Sequence, residues 1–181
     1  KIIMKKLSFL LSTTAIVAIL FAFTLPTGKL VSTKTHIKFF SHTAVEDIEA
    51  NNNASVSTID PESGNVDFSV PMQGFEFKSS LMQKHFNSAK FLDTKTYPKA
   101  KLKAMISNLS EINFSKDGTY QANVEGELTL KGVTKPIAES GTIIIKGNMM
   151  EVQSTFNITL ADYGITFVKG KPSSNIAKTV E

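Results

Sequence analysis

Past Gly28 the apolar and polar residues alternate with a period of two. Val31, Thr33, Thr35, Ile37 and Phe39 share one face, with Ser32, Lys34, His36 and Lys38 opposite. Val66, Phe68 and Val70 alternate with Asn65, Asp67 and Ser69, and Phe75 and Phe77 flank Glu76. Ala100, Leu102, Ala104 and Ile106 oppose Lys99, Lys101, Lys103 and Met105. Tyr120, Ala122, Val124, Gly126, Leu128 and Leu130 face away from Thr119, Gln121, Asn123, Glu125, Glu127 and Thr129. Met150, Val152, Ser154, Phe156, Ile158 and Leu160 oppose Glu151, Gln153, Thr155, Asn157 and Thr159. One dry and one wet face per strand is the signature of an antiparallel sheet.

Turn residues punctuate the pattern where hairpins require them: Asp60 to Gly64, Lys116-Asp117-Gly118 and Lys146-Gly147-Asn148. One stretch departs from alternation. A cap at Ser79 or Ser80 opens a short helix whose apolar stripe is Leu81, Met82, His85 and Phe86. It ends before Tyr97-Pro98, because proline disfavours helical backbone at the residue before it. Seven or eight short strands must manage their edges, and closure into a barrel does so. A β-sandwich satisfies the same periodicity.

The segment before Gly28 is different in kind. Lys5 and Lys6 precede an apolar run from Leu7 to Phe23, and Thr24, Pro26, Thr27 and Gly28 follow it. A positive start, a hydrophobic stretch and a polar exit form a secretory signal. Residues 1–28 therefore read as a signal peptide and 29–181 as one domain, exported to the periplasm or beyond. The competing reading is an uncleaved anchor, since the run approaches the ~20 residues that span a bilayer. Signal removal leaves no membrane span.

Composition narrows the chemistry. Cysteine is absent, which excludes disulfides, thiolate metal sites and thiol catalysis. Every basic residue is a lysine, so no guanidinium can clamp a phosphate. From Lys29 onward, 17 lysines face 16 acids, which is no nucleic-acid footprint. The chain contains no H-E-x-x-H, G-x-S-x-G, P-loop or G-x-G-x-x-G, and neither a catalytic set nor a cofactor is expected. Glu125 and Glu127 share a strand face and read as a solvated edge. His36, His42 and His85 lack partners at ligand spacing, and no metal site is expected.

Four ordered stretches carry a resemblance. Leu81-Met82-Gln83-Lys84-His85-Phe86 with Tyr97-Pro98-Lys99-Ala100, the segment Gly126 to Pro136, and Phe156-x-Ile158 followed by Asp162-Tyr163-Gly164-Ile165 are similar to motifs of the YceI-like family. Its members are exported polyisoprenoid-binding proteins. The resemblance covers roughly residues 30–181 and implies an all-β, antiparallel, lipocalin-like up-and-down barrel of about eight strands with one short helix. It further implies an apolar tunnel for an isoprenoid lipid such as a polyprenyl phosphate or a quinone tail, and no catalytic residues. The chain departs from the pattern at Phe39-Phe40-Ser41-His42 and at Leu160-Ala161-Asp162, where some members carry tryptophan, histidine or arginine. Val180-Glu181 reads as the start of a strand, so the resemblance implies a chain that runs further.

On that footing the tunnel lining is expected from Ile37, Phe39, Phe68, Phe75, Phe77, Met82, Phe86, Phe91, Leu102, Phe156, Ile158 and Tyr163. The bland alternative is that these residues fill a solid core in an envelope interaction domain without a ligand. A head group would fall to Lys84, Lys90 or the helix N-terminus near Ser79. Barrels of this kind can also pair through an outer face, so a homodimer is compatible with the reading.

Overall fold

The computed structural model describes residues 28–32, 34–166 and 177–181. The leader expected over residues 1–28 lies outside the described residues, Gly28 excepted. Strands are β1 Leu30–Val31, β2 Ile37–His42, β3 Asp47–Asn52, β4 Val56–Ile59, β5 Asn65–Pro71 and β6 Phe75–Phe77. The helix α1, Ser80–Asn87, follows. Then come β7 Lys99–Ile106, β8 Gly118–Leu130, β9 Val133–Lys146, β10 Met149–Ser154, β11 Ile158–Thr159 and β12 Thr179–Val180. Among the described residues no helix is long and apolar enough to cross a membrane.

Seven strands in the order β1-β4-β5-β7-β8-β9-β10 form one antiparallel sheet, which curls strongly into a half-barrel. The alternation thus resolves to a curled wall. A smaller sheet β2-β3-β6 faces it. The β11-β12 ladder joins that sheet, because Phe40 and Glu181 exchange N–H to carbonyl bonds of 2.7 and 2.9 Å. The C-terminal residues therefore sit between β2 and β11.

Small inward residues let the large sheet bend. Gly126 on β8 lies opposite Ala104 on β7, and a Cβ there would fall 2.2 Å from the Lys103 carbonyl oxygen. Four residues earlier on β8, Ala122 lies opposite Gly141 of β9, whose Cβ would fall 2.8 Å from the Gln153 carbonyl. Glycine in a strand interior marks such tight approaches at barrel corners.

Two runs of the alternation are broken by the structure. The run Val31 to Phe39 changes sheet: β1 pairs with β4, whereas β2 pairs with β3. Ser32 makes the break, since its N–H donates to the Ser57 carbonyl and its hydroxyl accepts from Ser57 N–H at 3.0 Å. The run Met150 to Leu160 also splits into β10, β11 and a 3-10 turn, Leu160–Tyr163. Its β10 face is mostly exposed: Met150 packs inward, but Val152 is 41% exposed on the edge.

The interior holds two apolar clusters. The larger one lies under α1 and includes Ala50, Met72, Phe75, Phe86, Phe91, Leu92, Leu128, Leu130, Leu160, Tyr163 and Ile165. The other gathers Ile59, Val66, Ile106, Ile112, Ala122, Ile143 and Ile145 toward the opposite end.

Candidate ligand-binding site

The larger cluster is organised by α1. Ser79 caps the helix with its hydroxyl accepting from Met82 N–H at 3.4 Å, and Gln83 ties the helix to the backbone of β6. This orientation drives Phe86 inward. Its ring centroid lies 4.9 Å from Phe77, 5.5 Å from Phe75, 6.2 Å from Phe91 and 6.5 Å from Phe39, all at tilted angles. Tilted pairs at these separations suit the aromatic quadrupole. The segment after the helix folds back beneath it: Leu92 N–H donates to the Phe86 carbonyl, and the Thr94 hydroxyl donates to Asn87 Oδ1 at 2.8 Å. Residues 79–98 thus form a cap over one end of the half-barrel.

Of the lining expected from sequence, Phe75, Phe86, Phe91 and Tyr163 are buried in this cluster. Ile37, Phe39, Phe77, Leu102, Phe156 and Ile158 are half-buried and pack against it. Two residues go elsewhere. Phe68 packs with Ile59 and Val66 in the other cluster, although it lies opposite Leu102 of β7. Met82 is half-buried on α1 and belongs to neither cluster.

The lining expected from sequence did not include Met72, Leu92, Leu128, Leu130, Leu160 or Ile165, all buried in this cluster. Leu128 and Leu130 lay on a recognised dry face and could have been found. Met72 and Leu92 sit in turns, where no periodicity marks an inward side chain.

The charged groups and histidines lie around this interior, while the polar side chains buried within it, Ser41, Asn52, Ser55 and Thr94, are uncharged. Lys84 and Lys90 are exposed. His36 pairs with Asn51 Oδ1 at 2.9 Å and His42 with Asp47 Oδ1 at 2.6 Å, both on the β2–β3 hairpin surface. Among the described residues no group of three or more His, Asp or Glu side chains could hold a metal. Burial holds the Tyr163 hydroxyl above the ordinary tyrosine range, with the nearby Asp162 carboxylate adding to it.

The outer wall carries an open depression of about 550 Å³ lined by Lys29, Asp60, Asn65, Asp67, Lys103, Met105, Glu125 and Glu127. There Lys29 donates to Asp67 at 2.8 Å and is the main reason the carboxyl stays below its usual range. Its charged, solvent-facing walls contrast with the apolar interior.

Comparison with known proteins agrees with this architecture. A YceI-like domain model matches residues 29–181. A UPF0312 protein of Pseudomonas fluorescens is 27% identical over 122 residues, covering 64% of this chain and 61% of that protein. The protein YceI of Escherichia coli O157:H7 is 30% identical over 88 residues, covering 49% of this chain and 42% of that one. The matches thus span less than two thirds of these relatives' length. Among solved structures, Burkholderia cenocepacia BcnA superposes with a TM-score of 0.64 at 18% identity, covering 84% of this chain and 91% of its own. A polyisoprenoid binding domain from Saccharophagus degradans, implicated in plant cell wall breakdown, gives 0.64 at 14% identity, covering 85% and 89%. At these identities the two structures speak to the fold alone. With the family model matching the whole described domain, the chain belongs to the YceI-like family.

Proposed function

We propose that this chain is an exported, non-enzymatic binding protein that holds an isoprenoid tail within the apolar interior beneath the α1 cap. The observation that carries the reading is the half-buried rim of the larger cluster. Phe39, Phe77, Phe156, Ile37 and Ile158 pack against the buried aromatics while keeping part of their surface open. A long hydrocarbon laid on that rim gains roughly 25 cal/mol for each Å² of apolar surface removed from water. Such a tail needs no directional polar partner, which suits an apolar interior in a chain without cysteine or arginine. The polyisoprenoid-binding description of the Saccharophagus degradans fold relative supports the same ligand class.

A second reading has an observation of its own. Phe75, Phe86 and Phe91 are 7%, 6% and 8% exposed, as expected of a packed core in an envelope interaction domain. Native mass spectrometry decides between the two. The chain is purified without detergent from its host or from a bacterial periplasm. A bound species that extracts into organic solvent and fragments in five-carbon units supports the carrier. A bare protein mass that also refuses added polyprenyl lipid supports the packed domain.

A further inference from the structure

The charge of this domain is segregated along the chain. Between Lys78 and Lys103 there are seven lysines and one acid, Asp93, whereas the rest from Lys29 onward has ten lysines against fifteen acids. The fold brings much of this excess to one end. The segment 79–98 is the cap over the larger cluster, and β7 leaves it with Lys99 and Lys101 pointing outward. Cross-strand partners show how the charge changes along β7. Lys103 lies opposite Asp67 and Glu127, but Lys101 lies opposite Ser69 and Thr129, and Lys99 opposite Pro71.

The β8–β9 turn completes this end. Tyr97 rests on Gly132, where a Cβ would come within 2.6 Å of its ring, and the neighbouring Lys131 reaches the Gly164 carbonyl at 3.4 Å. Lys84, Lys90, Lys95, Lys99 and Lys101 are exposed and form no ion pair with a described residue. Asp93 and Asp162 are the acids of the surrounding turns. Apolar side chains lie among these lysines: Leu81 is 60% exposed one helical turn from Lys84, and Tyr97 is 37% exposed.

We infer that this capped end docks on an anionic phospholipid bilayer surface, the lysines meeting lipid phosphates while Leu81 and Tyr97 enter the interfacial layer. Clustered lysines gain from a negative membrane surface, and a second, apolar contribution makes peripheral binding effective. Long lysine stems reach head groups while their carbon chains lie along the apolar layer. Docking by any other face would bring the excess of acids elsewhere in the domain toward a like-charged membrane, which favours this orientation. The cap over the aromatic cluster then faces the lipid phase. The inference extends the carrier reading but does not require it, because vesicle binding is measured without an isoprenoid.

The test is co-sedimentation of the chain recovered from a periplasm, with vesicles of phosphatidylcholine containing about one third phosphatidylglycerol, at low salt. The expected result is binding that falls as salt rises and is weaker on phosphatidylcholine alone. Substituting K84E, K90E and K95E together lowers the partition by roughly a hundredfold, each lysine near the surface being worth about fivefold. K116E with K146E, at the opposite turns, makes the same kind of charge change and leaves binding unchanged. These side chains are all exposed, and circular dichroism confirms that the variants fold. Binding indifferent to the first set, equally sensitive to the second, or seen on heparin but not on vesicles overturns the inference. The mass-spectrometric ligand result stands or falls separately.

Discussion

The carboxamide of Gln83 takes the place of a strand beside Phe75. Its Nε2 donates to the Phe75 carbonyl at 2.7 Å, while its Oε1 accepts from Phe77 N–H at 3.1 Å. One side chain thereby satisfies a carbonyl and an N–H on the free edge of β6 and fixes α1 across the larger cluster. Gln83→Leu keeps the bulk but strands both backbone groups, and an unmade bond to a half-buried group costs about 1–3 kcal/mol. Urea unfolding should show that loss. Hydrogen exchange should show faster exchange at Phe77 N–H. An unchanged midpoint with unchanged exchange would mean that water replaces the amide at no cost.

Phe86 and Phe156 separate core from wall. Phe86 is buried with four aromatic neighbours, so Phe86→Ala leaves a cavity costing about 3–5 kcal/mol. Phe156 sits half-buried in the break between β10 and β11, so Phe156→Ala should destabilise by only about 1–2 kcal/mol. Under the carrier reading Phe156→Ala still weakens retention of polyprenyl lipid in the native mass spectrum. Equal destabilisation by the two substitutions, with lipid retention untouched, would place Phe156 in the core.

Gly126 and Gly141 test the bend of the sheet. A methyl at Gly126 meets backbone, 2.2 Å from the Lys103 oxygen and 2.4 Å from the Ala104 Cα, between two central strands that cannot part. Gly126→Ala is expected to cost ~3 kcal/mol, the upper part of the overpacking range. At Gly141 the obstacle is the Gln153 carbonyl of β10, the edge strand, which can yield. Gly141→Ala should therefore cost ~1 kcal/mol. Reversal of this order in chemical denaturation would contradict the account of where the sheet is tight.

Legibility followed inward chemistry. The strands β7 and β8 place apolar or small residues at every inward position and were read nearly to their ends. Around them β3, β4 and β9 went unrecognised. In β3 the inward residues include Ala50 and Asn52, and the fully buried Asn52 donates to the Pro71 carbonyl at 2.8 Å instead of packing as a hydrophobe. In β9 Lys135 and Glu139 occupy the same parity as Ile137 and Ile143, and Ile144 fills an outward place, so no period emerges. The helix was legible from its cap, since Ser79 and the Phe86 stripe need only local rules. The aromatic residues of the larger cluster were legible as inward-facing because most belong to strands with a clear apolar face. Phe68 packs in the other cluster and Met82 in neither, because an apolar face does not say which of two interior clusters a side chain joins.

Tyr163 should set part of the alkaline limit of the fold. Burial disfavours its phenolate, and Asp162 adds like-charge repulsion, so the folded-state value lies above the ordinary 10.0. An unfolded chain then releases this proton at lower pH than the folded one does. The stability that the neutral phenol contributes is complete below that ordinary value and declines as pH rises through the folded value. Tyr163→Phe has no proton to lose at this position, and every other side chain is common to both proteins. The stability difference between the two, measured by urea unfolding from about pH 8 to about pH 11, should stay level at first and then move in favour of the phenylalanine variant as pH passes the ordinary tyrosine value. A difference that stays constant across that range would show that Tyr163 reaches water freely in the folded protein.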